Sequence, residues 1–338
     1  DIVSDNFGFG DFVFRNPHTL EEVARVRNLK ELQNIIFAIP KESLLYHVQR
    51  NHVSRWLYSR AMFPAAEFLK QITWDSLQDV NGHRQIIFEA IVKYRKMKNR
   101  GVVAIFQRDR FDRYSNFARI GEGSLGGKGR GLAFIDNMVK RYEEFEEFEN
   151  ATVAIPKTVV LCTDIFDEFM DSNNLYKIAL SDAPDEAILK AFLQARLPER
   201  LLEDFMAFFD VVRSPIAIRS SSLLEDSHYQ PFAGIYSTYM IPYMEDKNEM
   251  LRMLSDAVKG VYASVYYKDS KAYMQATRNV IDQEKMAVIL QEGVGTQYGN
   301  HFYPSISGVA RSLNYYPIGD EKAEEGIVSL ALGLGKYI

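Results

Sequence analysis

A chain of 338 residues, 47% hydrophobic and 25% charged, has the length of about two soluble domains, each able to bury a core. Its net charge of -5 argues against a general nucleic-acid binder while leaving room for phosphate ligands in a local basic pocket. The single Cys162 excludes an intramolecular disulfide framework and a cysteine-cluster zinc site, and no signal peptide or apolar run of about 18 residues marks the chain for export or a membrane, so a cytoplasmic location is expected.

Residues 1 to about 105 read as an all-helical module. Thr19 and Glu22 have the spacing of a capping box. Leu20, Val23, Val26, Leu29, Leu32 and Ile36 recur at helical spacing, which predicts one helix through TLEEVARVRNLKELQNIIFAI. Pro40 opens a second from Lys41, with Leu44, Leu45, Val48, Val53, Trp56 and Leu57 on its buried side. A third is predicted over about 64 to 72 and a fourth from Arg84 to Asn99. His47 and His52 share the second helix, but five residues apart is poor geometry for one metal compared with three or four, so packing or surface roles are expected.

Between Gly101 and Ile120 a short strand candidate, VVAIF, gives way to charges and aromatics, and the linker to a second domain, 106 to 338, is placed there. A helix is predicted over about 131 to 148, where RYEEFEEFE reads as a solvated face. IPKTVVL, 155 to 161, reads as a buried strand. Helices are expected near 164 to 171, 185 to 194, 198 to 208 and 247 to 266, and strands at 215 to 219, 286 to 291, 306 to 311 and 326 to 331. Strands interleaved with helices indicate an α/β or α+β nucleotide-binding domain.

Two segments carry chemistry. GEGSLGGKGRG, from Gly121, sets six glycines around Lys128; exposed backbone N–H groups and an ammonium on a flexible stem suit a triphosphate. A P-loop would need glycine where Glu122 stands and Ser or Thr where Gly129 stands. Gly121, Gly123 and Gly126 spell the G-x-G-x-x-G of dinucleotide folds and kinase loops, but RYSNFARI is a weak strand ahead of it and no H-R-D or D-F-G follows. A mobile linker that carries a lysine is the structural alternative. The second segment, SPIAIRSSSLLEDSHYQPFAGIYSTYM from Ser214, delivers Arg219 from an apolar strand onto a Ser-Ser-Ser turn. A guanidinium there is costly unless an anion meets it, and hydroxyls and glycine add donors and close approach. The alternative is a helix capped by Ser222 with Glu225 three residues on, and Arg219 in a structural ion pair.

That stretch resembles the arginine motif in the N-terminal nucleotide-binding domain of phosphoenolpyruvate synthases and pyruvate phosphate dikinases, V-R-S-S-x-x-x-E-D, then F-A-G, then T-Y-L. Arg219, Ser220, Ser221, Glu225, Asp226, Phe232, Ala233, Gly234, Thr238 and Tyr239 match it. GGKGRGLAFI resembles the family's glycine-lysine loop. MAVILQEGV, SGVA and ALGLG follow in family order, so the resemblance covers roughly residues 117 to 338. It implies an α+β, ATP-grasp-like domain in which Lys128 and Arg219 contact the ATP phosphates, with Ser220 and Gly234 beside Arg219, and Gly126, Gly127 and Gly129 make room for the phosphates. Gln291, Glu292, Gly293 and Val294 would form the adenine and ribose hinge, Gly293 standing where the family usually has Met. It also implies Mg²⁺, with ligands expected beyond Ile338, and transfer of a phosphoryl group to a histidine on a downstream domain and then to pyruvate. Rifampin phosphotransferases and glucan water dikinases resemble the same domain, so an antibiotic or a glucan is an alternative acceptor. A nucleotide-sensing regulatory module is a second reading, motivated by the N-terminal module. Beginning at Asp1 and stopping just after ALGLG, the chain is expected to be a segment of a longer protein and inactive by itself.

Overall fold

The computed structural model describes residues 10–74, 80–98, 103–111, 115–146, 148, 151–222, 234–276 and 284–335. The chain divides into two units, Asp1–Val102 with Asn137–Asn150, and Val103–Asp136 with Ala151–Ile338.

The first unit is not all helical. Strands β1 (Phe12–Arg15) and β2 (Glu22–Val26) pair antiparallel, with Phe12 opposite Val26 and Phe14 opposite Ala24. The helix predicted from Thr19 begins instead at Leu29. Thr19 serves the hairpin turn, its Oγ1 accepting from the Glu21 N–H at 3.3 Å beside Leu20 at φ +59. Val23, assigned by helical spacing to a buried side, is 38% exposed because strand alternation sends it away from Ala24 and Val26. The working helix cap lies further on. Asn28 accepts from the Glu31 N–H at 2.9 Å, and the Glu31 carboxylate accepts from the Arg27 N–H at 2.7 Å, which starts α1 (Leu29–Ile35).

The single second helix is two, α2 (Lys41–Gln49) and α3 (His52–Ser59), because Asn51 between them takes φ +57, a conformation that ends a right-handed helix. Helices α4 (Phe63–Gln71) and α5 (Val80–Lys98) follow. Phe14, Val26, Leu32, Ile36, Leu44, Leu57, Ile87 and Ile91 are fully buried in this unit's core.

The second unit is built on six strands: β3 (Ala104–Ile105), β4 (Phe117–Ile120), β5 (Thr158–Leu161), β6 (Ile216–Ser222), β7 (Thr238–Ile241) and β8 (Met286–Glu292). Their spatial order is β3-β4-β5-β8-β6-β7; the first three run parallel, and β8 is antiparallel to both its neighbours, as β7 is to β6. The stretch read as a linker thus supplies two strands of the main sheet. Parallel partners lie far apart in sequence, so no hairpin signal marks them. Helix α6 (Gly126–Arg141) starts at Gly126 rather than near 131. Helices α7 (Thr163–Ser172), α8 (Tyr176–Ala179), α9 (Asp185–Gln194), α10 (Glu199–Phe209), α11 (Lys247–Ser264) and α12 (Lys268–Ala276) complete the described α-helices. Two hairpins follow the sheet, β9 (Thr296–Tyr298) with β10 (His301–Tyr303) and β11 (Ile306–Arg311) with β12 (Ile327–Leu332).

Two-residue alternation sorts the central strands. Val159, Leu161, Ile216, Ile218, Val288 and Leu290 enter a large core with Phe166, Phe169, Phe205 and Tyr262. Val160, Ala287 and Ile289 pack on the opposite face with Phe117 and Ala133. Burying each aliphatic side chain stabilises the sheet by roughly 1.5–3 kcal/mol, which makes β8 a firm anchor for whatever follows Glu292. Thr158 and Gln291, a registered pair, and Arg219, which pairs with Ile289, place polar groups among these buried strands.

Candidate functional site

Lys128 lies in the first turn of α6, not in an open loop, and its Nζ is 3.4 Å from Ser220 Oγ on β6. The turn is seated against that strand. Gly126 has φ +70, and a Cβ there would overlap the Ser221 carbonyl oxygen, so only glycine allows this approach. Ser221 Oγ donates to the Leu125 carbonyl at 2.7 Å and accepts from the Gly129 N–H at 2.9 Å. The expectation of freely exposed N–H groups is corrected for much of the glycine segment. The N–H groups of Glu122 and Gly123 donate to the Asp164 carboxylate, that of Ser124 to Thr163 Oγ1, and that of Gly126 to Ser124 Oγ.

Arg219 is half-buried on β6, one residue before Ser220, and its Nη1 donates to Gln291 Oε1 at 3.2 Å. The Gln291 Nε2 in turn donates to Thr158 Oγ1 at 3.2 Å. Both ends of that buried amide are engaged, so Gln291 braces the guanidinium from β8. Among the described residues Arg219 makes no ion pair, while Glu225 and Asp226 of the same segment lie outside them.

The hinge residues separate in behaviour. Glu292 accepts from Ser214 Oγ at 3.0 Å, and its N–H donates to the Lys157 carbonyl at 2.8 Å. The Gly293 N–H donates to the Pro215 carbonyl at 2.7 Å; a Cβ on Gly293 would lie 3.0 Å from that oxygen and 3.5 Å from the Phe302 ring. Val294 is 65% exposed. The N–H groups of Glu292 and Gly293 are therefore committed to the fold, and the Gln291 amide faces Arg219 and Thr158.

Gly234 sits in an exposed turn at φ +80; among the described residues a side chain there would meet no atom within 4 Å, and no bond joins it to the other candidates. Glu225, Asp226, Phe232 and Ala233 lie outside the described residues. Lys128 meets Ser220 and Arg219 meets Gln291, at successive residues of β6 whose side chains alternate across the sheet, with Gly126 and Gly129 as the surfaces that let α6 meet β6. Gly127 lies in the same helical turn as Lys128. Ser221, matched in the arginine motif, seats α6 on β6, and Thr158, Thr163 and Asp164 are revealed only by strand pairing and loop packing. Cys162, next to Thr163, is fully buried; burial first, then the Asp164 carboxylate, push its pKa up to about 11, so it stays a thiol at neutral pH.

Among the described residues no group of three or more His, Cys, Asp and Glu side chains could hold a metal ion, and no helix is long and apolar enough to cross a membrane. The polar groups at β6 are a lysine, an arginine and serine hydroxyls, donor types that can meet oxyanions. Two comparisons bear on that chemistry. An uncharacterized phosphotransferase, YvkC, of Bacillus subtilis (strain 168), is 26% identical over 184 residues, 54% of this chain; the match spans about one fifth (20%) of that relative's length. The family model described as "Pyruvate phosphate dikinase, AMP/ATP-binding domain" matches residues 122–338, a span that holds Lys128, Ser220, Arg219, Gln291 and the loop and strands that seat them. With well over half of its length matched, the chain belongs to the pyruvate phosphate dikinase AMP/ATP-binding domain family.

Proposed function

We propose that this chain is the ATP-binding portion of a dikinase-like phosphotransferase, in which Lys128 and Arg219 grip the polyphosphate of ATP. The observation that carries the reading is the half-buried Arg219. Its described partner is a neutral amide, while Lys128 reaches the very next residue of β6. A guanidinium held in this way keeps donor capacity for an oxyanion, and a lysine approaching from α6 adds a second charge. Phosphoryl transfer is mostly positioning and charge neutralisation, so two cations fixed by a sheet and a helix suit it. In the whole protein the phosphoryl group would pass to a histidine on a further domain, and from there to pyruvate, or alternatively to an antibiotic or a glucan.

Calorimetry on the 338-residue chain tests the grip. Lys128→Ala and Arg219→Ala are each expected to weaken ATP binding roughly 10- to 100-fold, the loss of one charge-assisted contact, and to change AMP binding by less than about 3-fold. Equal losses for ATP and AMP, with circular dichroism unchanged, would remove the phosphate role.

Gln291 has a different expected signature. As a brace for Arg219, its replacement in Gln291→Ala should weaken ATP binding by roughly 3- to 10-fold, the worth of a neutral hydrogen bond. The preference for ATP over GTP should stay as it was. A collapse of that preference would return Gln291 to the base-reading role.

A further inference from the structure

We propose that Asp164 is a positioning residue for Lys128: its carboxylate fills the glycine turn ahead of α6, fixes where that helix begins, and so aims the Lys128 ammonium. The inference rests on the phosphate-gripping reading of Lys128.

Residues 121 to 125 form a turn whose backbone groups are held from two sides. On one side Asp164, in the first turn of α7, accepts from the Glu122 N–H through Oδ2 and from the Gly123 N–H through Oδ1, both at 2.9 Å. Thr163 exchanges two bonds with Ser124: its Oγ1 accepts from the Ser124 N–H at 3.0 Å, and its own N–H donates to the Ser124 carbonyl at 3.0 Å. On the other side Arg119 donates to the Gly121 carbonyl at 2.6 Å and to the Glu122 carboxylate at 2.9 Å.

The glycines are there for Asp164. Gly121 has φ +99, and a Cβ on it would collide with the Asp164 carboxylate. A Cβ on Gly123 would lie 2.7 Å from both the Asp164 N and Thr163 Oγ1. Successive backbone N–H groups in a glycine turn make a concavity that binds an anion. Here the anion is built into the chain, at a helix N-terminus whose dipole favours it. Glu122 and Gly123 are thereby closed to an incoming phosphate, which is left to the side chains of Lys128 and Arg219. The lysine stem is long and flexible, so its ammonium is only as well placed as the backbone beneath it. That backbone is set by the turn: Leu125 and Gly126 lead directly from it into the seat on Ser221.

A mutant cycle in the full chain separates positioning from general stability. Asp164→Ala is expected to weaken ATP binding by roughly 10-fold while AMP changes less than about 2-fold, and to speed hydrogen exchange at the Glu122 and Gly123 amides by at least about 10-fold. In a Lys128→Ala background the same substitution should cost ATP affinity less than about 2-fold, because the residue it positions is gone. Thr163→Ala, which deletes a single turn bond, should give the same pattern at smaller amplitude, and it substitutes for Asp164→Ala if that variant fails to fold. Equal ATP losses in the two backgrounds overturn the proposal, as does unchanged exchange at the two amides. If Lys128→Ala binds ATP like the parent chain, the phosphate reading of Lys128 fails and the positioning role falls with it, whatever the exchange of the turn shows.

Discussion

Gly126→Ala is expected to destabilise the second unit by about 3–4 kcal/mol, a large change for one methyl group. The added Cβ is asked to occupy the position of the Ser221 carbonyl oxygen, with the Ser221 carbonyl carbon and Oγ at 2.5 Å. At φ +70 an L-residue also carries the left-handed penalty of about 1–2 kcal/mol. Overpacking against a backbone that cannot rotate away costs about 1–3 kcal/mol more. Relief requires lifting α6 off β6, which breaks the Ser221 bonds to Leu125 and Gly129. Lys128 would move with the helix, so ATP affinity should fall in parallel. Gly131→Ala is the control: the position lies inside the same helix, a Cβ meets nothing within 4 Å, and the substitution should be neutral or stabilising by about 0.5–1 kcal/mol. Urea unfolding followed by far-ultraviolet circular dichroism measures both. A Gly126→Ala chain within about 1 kcal/mol of the parent would mean that the seat of α6 on β6 is not as tight as the geometry states.

Acidification is expected to unfold the first unit ahead of any direct effect on the nucleotide site. The His47 ring is buried among Phe12, Phe14 and Tyr46, and its Nε2 accepts from the Arg15 N–H at 2.9 Å. The proton of neutral His47 therefore sits on Nδ1, which lies 3.0 Å from His52 Nδ1 and donates to it. A second proton has to enter at Nε2, against a backbone donor. Burial above all, then His52, Arg15 and Arg50, hold the His47 pKa down to about 4; burial, Arg55 and Arg50 lower that of His52 as well. In the unfolded chain both return to about 6.5. Between pH 6.5 and 4 the unfolded state binds more protons, so stability falls as pH falls through this window and is fully present above it. For His47 the loss approaches about 3 kcal/mol at the acid end. Trp56 and Trp74 are the two tryptophans of the sequence and both belong to the first unit, so their fluorescence follows its unfolding alone. Denaturant midpoints at pH 7 and pH 5 should differ clearly in the parent chain and much less in His47→Gln. Parallel pH dependences would show that the imidazole pair is not the titrating element.

The long periodic elements of the second unit are readable without coordinates. Asp185–Gln194 and Glu199–Phe209 bury one stripe each, Lys247–Ser264 does so until its last turn is buried all round, and the apolar run Met286–Leu290 has nowhere to go but the middle of a sheet. The hairpin at Phe12–Val26 is not readable in the same way. Thr19 and Glu22 have capping-box spacing, and the apolar positions that follow fit a helix. Pairing with Phe12 and Phe14, which no local window contains, decides in favour of the strand.

Residue identity alone determined that this protein carries a lysine among glycines and an arginine followed by serines, in an order shared with one family, and that its charge and single cysteine leave phosphate chemistry open. Those are properties of side-chain type and spacing. Only the tertiary structure decided which groups remain able to meet a ligand. Glu122, Gly123, Ser124 and Gly126 look like free donors in sequence, yet Asp164, Thr163 and Ser124 consume them. Gln291 looks like a base reader, yet strand register turns its amide onto Arg219 and Thr158. A hydrogen bond is decided by which partner lies within about 3 Å, and for all of these groups except Gly126, whose partner Ser124 is two residues away, the partner is set by chain segments tens of residues away, a distance that no local pattern encodes.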